Sequence, residues 1–266
     1  MFKFFKKNPL PDSPIENLAE RIGQLAGDSA YVREHLRRYI HTLTNMPRIE
    51  NGKALELGSS LLFPAVMMDD LGYATVDVSV FNTYYTEMNL ILAIPNDVQG
   101  RMLSAYNVNL ESEAIPCADQ NYDLVVCCEV IEHLELDPMY MMAEINRVLR
   151  KDGLLLLTTP NCVSARNVMK IIEGEALHFF MKYSKSREYY RHNIEYSPGQ
   201  VTELVNAAGF EVVRIWTENS FSDKVPEIDQ LLAKVGGRRE LRGDNIFCIA
   251  RKSGPVVDRF PAQIYF

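Results

Sequence analysis

Short apolar runs alternate with segments of helical spacing through most of the chain, and this rhythm limits the fold more than any other feature. Such alternation indicates a parallel sheet with helices on both faces. Two more apolar runs follow near the end of the chain. We therefore expect an α/β, doubly wound, seven-stranded and mostly parallel sheet. Its predicted strands are Lys53–Leu57, Tyr73–Ser79, Tyr106–Leu110, Tyr122–Cys128, Leu154–Thr159, Glu211–Thr217 and Asn245–Arg251.

The sheet is flanked by segments of a different character. Residues 1–50 form a predicted helical extension, which opens with the capping box Ser13–Glu16. Residues 51–266 form the main predicted domain. Residues 162–196 are rich in aromatic and basic side chains and break the rhythm, so we expect a cap inserted over the sheet edge. The stretch from Asn82 to Tyr106 shows no clear periodicity, and its boundaries cannot be predicted.

Composition and net charge limit the kinds of partner and environment that suit this protein. The net charge of −7 gives no basic field to hold nucleic acid, and no apolar run approaches the length of a membrane span. The five cysteines are odd in number and form no C-x-x-C pair, which suits a reducing cytoplasm. The sequence is compatible with a homodimer but does not specify one.

Polar residues gather where the predicted strands end, which is where open α/β sheets bind ligands. The first strand runs into Glu56-Leu57-Gly58-Ser59-Ser60, a turn in which glycine lets the backbone approach a ligand. Later strands end near Asp77, Glu111 and Glu129. An acid at such a position can also simply cap the next helix.

Five ordered pieces of this chain resemble class I S-adenosyl-L-methionine (SAM)-dependent methyltransferases. They are ALELGSS, VDVS, AIPCADQNYDLVVCCEVIEHL, EINRVLRKDGLLLLTTPN and HNIEYSPGQVTELVNAAGFEV. The C-terminal pattern RGDNIFCIARK…RFPAQIY more weakly resembles methyltransferases associated with bacterial surface-polysaccharide synthesis. The resemblance implies a Rossmann-like methyltransferase fold that binds SAM and releases S-adenosyl-L-homocysteine.

The same resemblance implies roles for individual residues. The turn, with Glu56, Gly58, Ser59 and Ser60, would hold the methionine part of SAM, and Asp77 would accept hydrogen bonds from the ribose. A further set would border the adenine or the ammonium group: Leu110, Glu111, Glu129 and Ile131. Ser60 departs from the glycine usual in this motif, which brings the affinity for SAM into question.

A strand–helix sheet of this kind also occurs in two other classes of protein, dehydrogenases and non-catalytic partner modules. A nicotinamide-dependent dehydrogenase requires G-x-G-x-x-G after the first strand, and here Gly58 is followed by Ser-Ser-Leu-Leu-Phe. A non-catalytic module that keeps the fold and serves a partner enzyme stays open, because no general base is evident. The favoured function is O-methylation of a sugar or glycan precursor, with a phenolic or natural-product acceptor as the alternative.

Methylation of a hydroxyl calls for removal of its proton. His133 follows the fourth predicted strand, where the reacting methyl group is expected, and His192 lies in the cap, so these are the candidate catalytic residues. Each can equally be a structural histidine. Glu129-Val-Ile-Glu132-His133 differs from the H-x-x-E-H zinc pattern in its first ligand, so the sequence predicts no metal site.

Overall fold

A computed structural model describes residues 17–81, 85–177 and 191–266 of the chain. Within them eight α-helices and eight strands alternate. The helices are α1 (Leu18–Ala26), α2 (Ala30–Glu34), α3 (Leu36–Asn45), α4 (Phe63–Asp70), α5 (Pro138–Val148), α6 (Ala165–Ile172), α7 (Pro198–Ala207) and α8 (Pro226–Val235). The strands are β1 (Gly52–Leu57), β2 (Tyr73–Val80), β3 (Asn89–Ala93), β4 (Met102–Asn107), β5 (Tyr122–Cys128), β6 (Leu149–Pro160), β7 (Phe210–Glu218) and β8 (Asn245–Lys252).

All eight strands form one mixed sheet in the order β3-β4-β2-β1-β5-β6-β8-β7. The pairs β1–β2, β1–β5, β2–β4 and β5–β6 are parallel, whereas β3–β4, β6–β8 and β7–β8 are antiparallel. The α/β Rossmann-like expectation is confirmed. The predicted count of seven strands was wrong by one, and the sheet is less parallel than expected.

The additional strand is β3, which lies in the stretch where no boundaries could be placed. It pairs antiparallel with β4 at the sheet edge, from Asn89 opposite Tyr106 to Ala93 opposite Met102. Alternate residues of β3 stay exposed, so the strand lacks the continuous apolar run of a central strand. For the same reason the third predicted strand started too late: β4 begins at Met102.

The sheet separates two apolar layers. α5 and α7 cover one face, with Val125 and Leu157 beneath them. The helices α1, α3 and α4 cover the other face, where Tyr39 stacks edge-on against Phe63 with ring centroids 5.3 Å apart. The N-terminal helices therefore share a core with the sheet. The capping box at Ser13–Glu16 lies outside the described residues.

Local sequence signals explain several helix ends. The side chains of Ser197 and Gln200 make a reciprocal capping box at the start of α7. In the helical extension, His35 separates α2 from α3. The sequence analysis missed α8, which begins with Pro226 at its first position and ends at Gly236 in the left-handed conformation.

The C-terminal segment packs back onto the start of α5. Asp137, the cap of that helix, accepts a hydrogen bond from the Tyr265 hydroxyl at 2.5 Å and pairs with Arg259. The Tyr265 oxygen also accepts from the Met139 backbone at 3.1 Å. This segment thus fixes the helix that follows the strand-end loop after β5.

Candidate functional site

The turn after β1 is organised around a buried carboxylate. The Ser59 hydroxyl donates to Glu56 Oε2 at 2.6 Å and its oxygen accepts from the Leu61 backbone at 2.8 Å. Burial raises the pKa of Glu56 to about 7, against smaller lowering effects of the Ser59 hydroxyl, the Ser60 backbone and the charge of Arg38. Ser60 itself is exposed. The turn is therefore exposed at Gly58 and Ser60, and the Glu56 carboxyl group lies buried beneath it.

Gly58 is required by the shape of this turn. Its φ of +60° lies in the left-handed region, and a Cβ built there would come within 2.7 Å of Val130 Cγ2. The Gly58 amide donates to Ser79 Oγ at 3.2 Å, and the Ser59 amide donates to the Ser79 carbonyl at 2.9 Å. The absence of a side chain lets Gly58 pack against Val130, where the ends of β1, β2 and β5 meet.

Asp77 lies on β2 two residues before Ser79 and makes contacts within the protein. Its carboxylate accepts from the Tyr122 hydroxyl at 2.7 Å and lies 3.6 Å from the Lys53 ammonium. Both partners stand at the beginning of their strands, and Asp77 is level with Leu55 rather than with the turn. At the end of β2 the structure instead places Ser79, which the sequence analysis did not single out.

Glu129 stands at the end of β5 in a strained conformation. It is a non-glycine residue with φ of +56°, a backbone state that persists only where the surroundings enforce it and that clusters at functional sites. Its Oε1 accepts from the Thr158 hydroxyl at 2.7 Å and from Asn245 Nδ2 at 3.1 Å. β6 and β8 thus hold this carboxylate at the strand-end edge.

Arg38 of α3 brings a buried positive charge to the same place. The residue is 4% exposed, and its Nε has no hydrogen-bond partner. Burial acts to lower the pKa of Arg38, but the carboxylate of Glu129 and nearby tyrosines outweigh it and raise the pKa, so the guanidinium stays charged. Its influence also reaches Glu56. The edge therefore combines carboxylates with a buried guanidinium, the groups that a zwitterionic amino acid needs.

Three residues that were predicted to border the adenine make contacts within the protein. Glu111 Oε1 accepts from the backbone amides of Leu136 and Asp137 at 2.6 and 3.1 Å, which fixes the loop before α5. Leu110 and Ile131 belong to the apolar layer under α5, and Ile131 has no exposed surface. They form the floor beside the site.

The structure brings together His133 and His192, the two histidines singled out in the sequence. Their rings meet edge to face with centroids 5.0 Å apart. The segment of residues 191–196 is held against the short 3₁₀ turn Ile131–His133, because Asn193 donates its amide to the Glu132 carbonyl and its side chain to the His133 carbonyl, at 2.7 and 2.8 Å. The Cys162 amide adds a bond to the Tyr196 carbonyl at 3.0 Å.

Each imidazole is oriented by a hydrogen bond. His133 Nδ1 lies 3.1 Å from the Arg191 carbonyl, and His192 Nδ1 lies 2.8 Å from the Glu195 carboxylate. Burial, followed by the neighbouring His192, lowers the pKa of His133 below its usual value, which favours the neutral ring.

Glu132 lies close to the two histidines and is buried. It is 1% exposed; its Oε2 accepts from the Thr159 hydroxyl at 2.9 Å, whereas its Oε1 is buried without a hydrogen-bond partner. That free oxygen lies 3.9 Å from His133 Nε2. Burial and then the charge of Glu129 raise the pKa of Glu132 well above its usual range.

Sequence reasoning missed several members of the site. Arg38 sits among the polar residues of an amphipathic helix, and no local pattern marks it as buried. Glu195 follows His192 by three residues in an irregular segment, so no helical or strand pattern in the sequence links the two side chains. Asn245 begins a strand that reaches the site from the end of the chain.

Comparison with known proteins agrees with this arrangement. A family model described as "Methyltransferase domain" matches residues 68–215, more than half of the chain. A ubiquinone biosynthesis O-methyltransferase of Rickettsia bellii is 23% identical over 168 residues, which cover 60% of this chain and 64% of that protein. An S-adenosylmethionine-dependent methyltransferase of Mycolicibacterium smegmatis is 33% identical over 101 residues, covering 37% and 32%. The chain thus spans less than two thirds of these curated relatives.

Solved structures share the fold. A SAM-dependent methyltransferase from Archaeoglobus fulgidus superposes with a TM-score of 0.52 at 15% identity, over 86% of this chain and 97% of that one. A methyltransferase from Haloferax volcanii, in complex with the Trm112 activator, gives a TM-score of 0.56 at 15% identity, over 89% and 98%. Together with the family match, the fold and the strand-end site show that this chain belongs to the class I SAM-dependent methyltransferases, with SAM as its cofactor.

Proposed function

We propose that the protein transfers a methyl group from SAM to a hydroxyl oxygen of a small acceptor. SAM supplies a methyl group already activated by its sulfonium, so the protein has to align the acceptor and help its proton leave. The observation that carries the proposal is the imidazole pair His133 and His192, which meets at the end of β5, directly after Glu129. An amine acceptor would not need such a group to the same degree.

The strand-end edge fits the cofactor. The turn of Glu56, Gly58, Ser59 and Ser60 would hold the methionine part of SAM, and its shape depends on Gly58, which has a positive φ and packs against Val130. A carboxylate attracts an ammonium group, and a buried guanidinium attracts a carboxylate. Glu129 would therefore face the amino group of SAM, and Arg38 would face its carboxylate.

The ribose and adenine would lie toward the neighbouring strands. Ser79 stands at the end of β2 beside the turn, while Leu110, Glu111 and Ile131 form the adjoining floor. The assignment of Asp77 to the ribose stays a prediction, and its contacts with Tyr122 and Lys53 argue for a structural role. The unit that does this work is the domain of residues 51–266, with residues 1–50 contributing Arg38.

Two acceptor classes are consistent with the site. The basic and aromatic composition of the predicted cap, residues 162–196, suits a sugar or a glycan precursor, in line with the resemblance of the C-terminal pattern. The relative named for ubiquinone biosynthesis favours a phenolic ring. All five cysteines are free thiols, which is in keeping with a cytoplasmic enzyme. Within the described residues, no helix has the length and apolarity to cross a bilayer.

The test is release of S-adenosyl-L-homocysteine by purified protein offered sugars, nucleotide sugars, phenols and amines in parallel. We expect turnover with hydroxyl acceptors. His133→Gln should lower kcat about 100-fold or more, whereas His41→Gln, which contacts Phe247 in the other apolar layer, should not. Turnover with amines alone would contradict O-methylation.

A further inference from the structure

The cluster of Glu132, His133 and His192 has a composition that proton transfer alone does not require. One ligand atom from each side chain lies within 4.8 Å of the others. Two imidazole nitrogens and one carboxylate oxygen are the donor set of many catalytic sites for divalent transition metals, in which further positions stay open for water or substrate.

We propose that these three side chains bind one divalent first-row transition ion, such as Zn²⁺, and that this ion takes the acceptor hydroxyl. The proposal rests on the function proposed above and adds a cofactor to it. The local sequence pattern did not favour a metal, because its first position is Glu129 instead of His. The structure brings His192, which lies far along the chain, to Glu132 and His133.

The state of Glu132 is the strongest argument. A buried polar atom without a partner destabilises the folded state, and native proteins rarely contain one. Glu132 Oε1 is such an atom, and it points toward His133 Nε2 at 3.9 Å. A cation between them would satisfy this oxygen. Thr159 holds the other oxygen at 2.9 Å and so fixes the direction of the carboxylate.

The surroundings of the histidines point the same way. Metal-binding histidines almost always donate their second ring N–H to a carbonyl or a carboxylate, which fixes the ring and its tautomer. His133 has the Arg191 carbonyl and His192 has the Glu195 carboxylate in that role, at 3.1 and 2.8 Å. Both contacts use Nδ1.

The spacing requires only small adjustments. Donor atoms bound to one ion at about 2.1 Å lie roughly 3–3.5 Å apart, so the three side chains would close by about 1 Å. Glu132 and His133 share the short turn after β5, and His192 is hydrogen-bonded to the same turn through its neighbour Asn193. Side-chain rotation is therefore enough to complete the site.

A metal ion at this site would take the place of a general base in removing the proton of the acceptor hydroxyl. A hydroxyl bound to a divalent cation has a lowered pKa, so its proton leaves to water as the oxygen binds. The acceptor oxygen then attacks the methyl carbon: the new O–C bond forms, the C–S bond breaks, and its electron pair stays on sulfur. The products are the methyl ether, S-adenosyl-L-homocysteine and one proton.

The experiment titrates Co²⁺ into metal-free, full-length protein and follows the visible d–d absorption, without SAM or acceptor. We expect one site with nitrogen and oxygen ligands, from which Zn²⁺ displaces Co²⁺. Glu132→Gln, His133→Asn and His192→Asn should each weaken binding about 100-fold or more, and Glu195→Gln, which positions His192, by about 10–100-fold. His41→Asn is the matched control and should bind as the wild type does.

Folding and function are checked separately. Zn²⁺ should raise the Tm of the wild type and of His41→Asn but not of Glu132→Gln, and circular dichroism spectra identify any variant that fails to fold. The absence of Co²⁺ absorption in folded wild type would overturn the proposal. Methyl transfer to a hydroxyl at full rate in metal-free protein would overturn the role of the ion while leaving O-methylation intact. Metal binding in protein that methylates no hydroxyl would support the site and refute the proposed function alone.

Discussion

Replacing Glu56 by Gln tests how the cofactor turn is built. Burial raises the pKa of Glu56 from 4.5 to about 7 in the folded protein. Between these values the folded state binds the proton more tightly than the unfolded chain does, so the free energy of unfolding falls as the pH rises from about 4.5 to about 7. The difference corresponds to about 3 kcal/mol. Gln does not titrate and still offers an oxygen to the Ser59 hydroxyl.

The assay is urea unfolding of wild type and Glu56→Gln at several pH values from 5 to 8. Groups shared by both proteins cancel in the difference, which isolates Glu56. The variant should gain stability relative to the wild type as the pH rises, by about 2–3 kcal/mol across this range. The exposed Glu87→Gln should shift the unfolding free energy by no more than about 0.5 kcal/mol. A difference that is constant with pH, or one that falls, would refute the buried acid.

Three further substitutions probe the site. Arg38→Met should weaken SAM binding about 10–100-fold in calorimetry because a charge-assisted contact is lost, while Arg37→Met, exposed on the same helix, should leave it unchanged. Gly58→Ala should lower the free energy of unfolding in urea by at least about 1–2 kcal/mol, because Gly58 has a φ of +60° and a Cβ there would meet Val130. An unchanged stability would contradict this description of the turn. Asp77→Asn should lower the free energy of unfolding by about 1 kcal/mol, because it weakens the hydrogen bond with Tyr122. It should change the Kd for SAM less than about threefold, and a large loss of affinity would support a contact between Asp77 and the ribose.

The central strands could be predicted because burial on both faces leaves a plain signature. β5 matches its predicted range, Tyr122–Cys128, and β1 differs by one residue. Edge strands such as β3 carry apolar residues on one face only, so their pattern is weak and was missed. The helix α8 buries Ile228 alone among its residues, which left no strong apolar stripe to detect.

For a similar reason, only part of the candidate site could be predicted from the sequence. Glu56, Gly58 and Glu129 follow directly from strands and turns, so local sequence marks them. The proximity of Glu132 and His192 depends on a long-range contact made by residues 191–196, and burial of Arg38 depends on how α3 packs. Asp77 was singled out from its strand, and the structure adds a contact with Tyr122 that local sequence does not show; its role toward the ribose stays a prediction.

A crystal structure of the protein with S-adenosyl-L-homocysteine tests the central claim most directly. We expect the product between the Glu56–Ser60 turn and Glu129, with its amino group hydrogen-bonded to Glu129, its carboxylate toward Arg38, and its sulfur facing the side of His133. Density for the product elsewhere, or with its adenine against Glu129, would contradict the account.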